Sequence, residues 1–367
     1  MKKVGVDKTF LGISLVIVTA GIFIFSSASL GILAQNESKF YGIIFNQIIL
    51  GLFSGFLLLA FFSKINYRYL KKFSLVVFFI GATLSALVFV PGVGLEHNGA
   101  ARWISIGSFS FQPAEFLKIG FVAALAAILS MFKERVRSFK HGVLPFMILA
   151  GISGIILLKQ PDTGTFLVIF SAGIAMLFVA GARLRDIFAL GAASVAGIVA
   201  LAFTKQYLMA RILTFLNPSE DPLGASYQLQ QSLIAIGSGG MFGRGFGQSI
   251  QKFDFLPEPV GDSIFAVMSE EFGFVGAIIL ISLFVVFALR GLKIADSSGD
   301  QFGRLLATGI VILIVSQSFI NIGSMIGILP LTGVPIIFVS HGGTALMFAL
   351  AEIGILLNIS RREKRQS

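Results

Sequence analysis

Apolar runs, each close to the length of a bilayer crossing, alternate with short charged stretches along nearly the whole chain. The charge-free or nearly charge-free segments are residues 9–34, 40–63, 73–95, 119–132, 142–158, 163–182, 187–204, 272–289 and 305–351. A helical span needs about 20 apolar residues, so the last segment is too long for one crossing. Pro330, Gly333, Pro335 and the Gly342-Gly343 pair interrupt it, which predicts two helices separated by a short re-entrant or surface segment. The pattern therefore predicts an all-α polytopic membrane protein of ten transmembrane helices. We read residues 1–367 as a single integral membrane domain, with residues 205–261 as a long extracytoplasmic loop between helices seven and eight.

Composition agrees with the pattern: 56% of the 367 residues are apolar and only 13% charged, where soluble domains carry about a quarter. Cysteine is absent, which removes disulfides and thiolate chemistry, and three histidines cannot sustain a His-rich metal site. The net charge of +10 points to membrane topology through its distribution, and no nucleic-acid partner is expected. Of the Lys and Arg residues, 20 fall on one set of loops and ends and 7 on the other, with Lys118 inside a helix. The positive-inside rule then places both termini in the cytoplasm. Six of the 18 acidic residues share the cytoplasmic side, so the chemistry is expected on the outer face. The basic start Lys2-Lys3 resembles a signal peptide, but the run behind it is long and has no small-residue cleavage site, so a retained helix is expected.

Four constellations could carry chemistry. Arg102-Trp103 is followed by Pro113, Glu115 and Lys118. Pro113 suits the first turn of a helix, and Glu115 and Lys118 share a face at i, i+3. Intramembrane charge is a functional hypothesis by default, its alternative being a self-neutralising pair that fixes packing. Asp162, in Gln160-Pro161-Asp162-Thr163, sits at a helix junction and could equally be a cap. The long loop holds Arg211, Gln231 and the run Gly237–Gly247 with Arg244; glycine backbone and an arginine could cradle a phosphate, or form only a compact turn. Leu256-Pro257-Glu258 leads to Asp262-Ser263 and then Glu270-Glu271. Partial desolvation at the re-entry point would lift Asp262 toward general-base range, unless it merely caps helix eight. Glu270, Glu271 and Glu352 are read as buried polar contacts between helices. His341 could assist an outer site, while His97 and His141 have no evident partner.

These motifs, in this order on ten spans, resemble the SEDS (shape, elongation, division and sporulation) family over essentially the whole length. The resemblance rests on residues 109–118, 160–165, 231–240, 256–258, 262–267 with Glu270-Glu271, and 333–343; residues 247–252 favour a division-type member. Two positions depart from the family pattern: Val260-Gly261 stands where a His-Thr pair is common, and His341 where Tyr is common. The resemblance implies an inverting peptidoglycan glycosyltransferase that polymerises lipid II at the outer face with a class B penicillin-binding transpeptidase and other division proteins. It implies Asp262 as general base, with Arg102, Glu115, Lys118, Asp162, Arg211, Gln231, Arg244, Glu258 and His341 as substrate-binding candidates. A divalent cation, Mg or Mn, could share the pyrophosphate, although no metal-ligand spacing is legible. The lipid tails would lie against membrane lipids in grooves between helices. Competing readings are a flippase for the lipid-linked precursor and an elongation-type polymerase; an inert scaffold fits poorly, because it has no need of intramembrane charge.

Overall fold

The computed structural model describes residues 5–97, 100–106, 109–218, 221, 224 and 226–361. Helix α1 is Lys8–Gln35, α2 is Glu37–Lys64 and α3 is Arg68–Leu87. A three-stranded antiparallel sheet follows, with β1 at Gly94–His97, β2 at Ala100–Ile106 and β3 at Phe109–Phe111. Next come α4 at Pro113–Met131, α5 at Val143–Lys159, α6 at Thr163–Ala180 and α7 at Leu184–Ala202. Two shorter helices, α8 at Gln206–Leu216 and α9 at Tyr227–Ser238, precede α10 at Ile264–Ser297, α11 at Gln301–Met325 and α12 at Gly343–Ser360. Among the described residues, nine helices are long and apolar enough to cross a membrane. The 17-residue α5 rises about 25 Å and makes the tenth span.

Local chemistry fixes where these helices begin and end. Asp7 caps α1 by accepting from the Phe10 N–H at 2.8 Å, and Asp300 caps α11 through the Gly303 N–H at 2.8 Å. Asn36 ends α1 and caps α2 through the Lys39 N–H at 2.9 Å. Pro113 opens α4 at the position where a missing N–H is harmless. The fourth span therefore starts at residue 113 rather than 119, and Glu115 and Lys118 lie within it. The third span stops at Leu87, short of the expected 95, because the chain turns into β1. The helical pattern did not reveal this sheet.

Helix α12 is the buried axis of the bundle, with every residue of Gly343–Ser360 buried except the half-buried Met347. Helix α2 approaches it through glycine: a Cβ on Gly55 would lie 2.5 Å from Leu350 Cδ1. On the periphery, α7 buries only Ala202 and leaves its apolar side chains outward.

Residues 205–261 do not form a loop lying over the surface. Beyond α9 the chain runs back along α1, touching it at successive depths. Gln35 Nε2 donates to Asp254 Oδ1 at 2.6 Å, Gly31 leaves room for the Lys252 carbonyl, and Phe23 stacks on Phe246 at 4.3 Å. Gln35 and Phe23 are twelve residues apart, about 18 Å along the helix axis, so the segment reaches bilayer mid-depth. Irregular backbone survives there only if its polar groups are satisfied by protein. Glu270 of α10 does this, accepting from Ser249 Oγ at 2.6 Å, Ile250 N at 3.1 Å and Gln251 N at 3.2 Å. Glu271 accepts from Ser27 Oγ and from Lys252 Nζ at 2.7 Å, with both charged side chains fully enclosed. Helix α10 breaks at Gly273, where φ is 67°, and the freed Phe274 and Val275 N–H groups donate to Gly240 and Met241. The glycine run is thus used for close approach of two backbones: a Cβ on Gly243 would lie 2.1 Å from the Glu271 carbonyl oxygen. Residues 330–342, the interruption between α11 and α12, are also re-entrant, since a Cβ on Gly21 of α1 would collide with the Phe338 carbonyl.

Candidate active site

Asp262 stands in the turn just ahead of α10, at the end of the bundle where α1 finishes. It is not the helix cap: Ser263 holds that position and accepts from Gln228 Nε2 at 3.0 Å. A cavity of about 210 Å³ opens beside Asp262, lined by Arg211 and Thr214 of α8, Gln228 of α9, Met325 of α11, and Leu331 and Gly333 of the re-entrant segment. Gly333, at φ 72°, is where the charges converge. A Cβ there would lie 3.5 Å from Arg211 Nη2, 3.6 Å from Asp262 Oδ2 and 4.0 Å from Arg102 Nη1. Two guanidinium groups and one carboxylate therefore face a single point, with space rather than a side chain at its centre.

Each arginine is delivered by a distinct device. Leu95 pairs with Trp103 and Glu96 with Ala101, so Arg102 is the extra residue of a β-bulge. Bulges re-aim side chains, and this one sends Arg102 to the carbonyls of Gln160, at 3.2 Å, and Pro161. Arg211 rides on α8 and donates to the Thr332 carbonyl at 3.1 Å. Burial, with Arg102 beside it, pulls the Arg211 guanidinium below its ordinary value. Burial and the neighbouring Glu258 raise the Asp262 carboxyl to about 6, against a smaller lowering by Arg102 and Arg211.

The other sequence candidates divide between this site and elsewhere. Asp162 caps α6 through the Thr165 N–H at 3.1 Å, while its Oδ2 is buried without a partner and adds to the field around Asp262. Glu258, exposed and at φ 49°, has a carboxylate facing Gly261. Glu115 and Lys118 form a 2.8 Å ion pair with both side chains at 5% exposure or less, sunk in α4 away from the cavity walls. Glu352 lies within electrostatic reach of that pair. Gln231 is half-buried on α9, but the residue of that helix which lines the cavity is Gln228, one turn earlier. Arg244, expected at a phosphate, instead meets Glu270 at 3.4 Å in the re-entrant segment. His341 stacks on Phe25, donates its backbone N–H to Val260 at 2.7 Å and leaves Nε2 buried without a partner. Burial lowers its imidazole to about 4, so the ring is neutral near pH 7. Sequence reasoning missed Thr214, Gln228, Asn321 and the role of Gly333; only the glycine, between Pro330 and Pro335, left a local trace. Among the described residues no three His, Asp or Glu side chains converge on a metal-sized site.

Known proteins resemble this chain along nearly its whole length. The family model for FtsW, RodA and SpoVE, described as cell cycle protein, matches residues 7–365. Stage V sporulation protein E of Bacillus subtilis (strain 168) is 40% identical over 362 residues, 98% of both chains. The probable peptidoglycan glycosyltransferase FtsW of Geobacter sp. (strain M18) is 36% identical over 358 residues, 98% of this chain and 97% of that one. A chain from a peptidoglycan synthase complex that coordinates polymerization and crosslinking superposes with a TM-score of 0.79 at 27% identity, covering 98% and 99% of the two chains. The rod shape determining protein RodA of Thermus thermophilus gives 0.70 at 27% identity over 97% of each. With the family model matched over residues 7–365 and relatives of 36–40% identity along nearly the whole length, the chain belongs to the FtsW/RodA/SpoVE family of cell cycle proteins.

Proposed function

We propose that this integral membrane protein is a peptidoglycan glycosyltransferase that polymerises lipid II into glycan strands, with Asp262 as its general base. Both termini lie in the cytoplasm and the Asp262 cavity opens to the outer face. A class B penicillin-binding transpeptidase is its partner, in cell division. The observation that carries the reading is the meeting of Asp262, Arg102 and Arg211 around the empty flank of Gly333.

In lipid II the sugar is joined α to undecaprenyl pyrophosphate, and the glycan linkage is β-1,4, so the acceptor must attack from the opposite face. The acceptor 4-hydroxyl oxygen forms the new bond to the anomeric carbon as the bond to the pyrophosphate oxygen breaks. The hydroxyl proton passes to Asp262, and the electron pair leaves on the pyrophosphate. Such a step needs a base with a pKa near the working pH and fixed positive charge where the leaving group gains its own. A carboxyl raised to about 6 meets the first need, and Arg102 and Arg211, already held by backbone carbonyls, meet the second. Gln228 and Thr214 add neutral polar groups for the sugar.

The test is purified protein, with and without a class B transpeptidase, incubated with lipid II and assayed for glycan polymer. Asp262→Asn should fold and bind the transpeptidase yet polymerise roughly 10²–10⁴ times more slowly, the usual loss for a general base. Near-normal polymerisation by that variant would remove Asp262 from the role.

A further inference from the structure

The buried Glu115–Lys118 pair belongs to no cavity wall, yet Lys118 makes one further contact, and that contact leads to the site. Lys118 Nζ donates to Gln317 Oε1 of α11 at 2.7 Å. Gln317 Nε2 donates to the Pro335 carbonyl at 3.1 Å. One turn further along α11, Asn321 Nδ2 donates to the Val334 carbonyl at 2.7 Å and to the Asp262 carbonyl at 2.8 Å. We propose that Gln317 and Asn321 are positioning residues that tie the buried ion pair to both walls of the cavity, holding Asp262 against the Gly333 segment. The proposal rests on the reading of Asp262 as the base.

Three features carry it. The amide orientations are dictated: Lys118 can only donate, and the Pro335, Val334 and Asp262 carbonyls can only accept, so each terminal amide can face only one way. The segment also depends on side chains for its shape. Residues 332–335 are neither helix nor strand, and their carbonyls are held by side chains, Thr332 by Arg211, Val334 by Asn321 and Pro335 by Gln317. Finally, Asn321 is 1% exposed and its Oδ1 has no partner. A buried amide that leaves its acceptor unsatisfied while both hydrogens join two separate segments is held there by those two bonds. Charge on Lys118 fixes Gln317, Gln317 fixes the segment, and Asn321 joins that segment to the Asp262 carbonyl itself, beside the bonds from Ser340 Oγ to Gly261 and from the His341 N–H to Val260.

Gln317→Glu separates coupling from packing, because it keeps an oxygen for Lys118 and the same length but has no N–H for Pro335. Asn321→Leu removes both bonds with a side chain of the same branching. Detergent-purified variants are assayed on lipid II for kcat, KM and the pH dependence of kcat/KM, alongside thermal stability. The charged groups around Asp262 are Glu258 ahead of it, Arg102 of β2, Arg211 of α8 and Asp162 at the head of α6. Movement of the segment changes their distances, so the acid limb of the profile should shift. We expect kcat to fall about 10²-fold in either variant, the scale of a 1 Å misplacement, with lipid II KM much less affected. Ser318→Ala, which loses only a bond to Ile314 in its own helix, should match wild type. If Asn321→Leu does not fold, Gln317→Glu and Asn321→Ser, which retains one donor, decide the matter. A kcat that falls only with the folded fraction, over an unmoved acid limb, overturns the positioning role. Asp262→Asn run in parallel separates the two readings: polymer from that variant rejects the base, whereas wild-type kinetics in Gln317→Glu beside an inactive Asp262→Asn reject only the coupling.

Discussion

Gly333→Ala adds one methyl group at the point where the two arginines and Asp262 converge. The distances of 3.5, 3.6 and 4.0 Å to Arg211, Asp262 and Arg102 are ordinary van der Waals contacts, so the methyl fits without a clash. Its structural cost is the left-handed backbone at φ 72°, about 1–2 kcal/mol for a residue with a Cβ. Its functional cost is larger if a pyrophosphate oxygen must occupy that point. A hydrogen bond to a charged group contributes roughly 1.5–3 kcal/mol, and two guanidinium groups lose theirs together, which gives about 3–6 kcal/mol. At about 1.36 kcal/mol per decade, kcat/KM should fall by two to four orders of magnitude. Gly92→Ala is the control for strain alone, since Gly92 has φ 84° and nothing within 4 Å of an added Cβ. Both variants are purified, checked for monodispersity and melting temperature, and assayed for polymer from lipid II. Gly333→Ala with wild-type kcat/KM would show that the leaving group does not use this point.

The acid limb of polymerisation should fall near pH 6 rather than near 4, because the base must be ionised to act and burial has raised its carboxyl. Glu258→Gln removes the next largest cause of that shift, so the limb should move to lower pH in a kcat/KM profile. Lys252→Met should lower the melting temperature sharply, since stranding buried Glu271 costs about 3–5 kcal/mol; a change of under 1 kcal/mol would deny the pair its anchoring role. In intact cells, a cysteine replacing exposed Lys205 should react with an impermeant thiol reagent, and one replacing exposed Lys133 should not; the reverse pattern would invert the proposed orientation.

The spans were legible because bilayer crossing imposes a length and an apolar composition that each helix carries by itself. The sheet was not, because β1 to β3 are short, half-polar strands whose pairing depends on partners outside the local window. Asp262, Arg102 and Arg211 could be singled out as charges near span ends. Their convergence could not, since it requires a bulge at Arg102, a short helix under Arg211 and a glycine from a segment 71 residues after Asp262. Arg244 lies in glycine-rich surroundings that look like a phosphate cradle, and only the packing of α10 against the segment shows those glycines in close backbone approach. Gln317 and Asn321 carry no signal at all, being neutral amides inside an apolar run.

The re-entrant segment also constrains how the protein is made. Residues 239–254 leave the ribosome before Glu270 and Glu271, the two carboxylates that satisfy their N–H groups and the Lys252 charge. Until α10 arrives, that backbone cannot rest at bilayer mid-depth, where each unsatisfied polar group costs several kcal/mol. Insertion therefore proceeds with the segment waiting in water and sinking beside α1 only when α10 has crossed. A chain halted between residues 254 and 270 has made its first seven spans but has no seat for the segment that follows them, which makes α10 the step that commits the nascent protein to its final form.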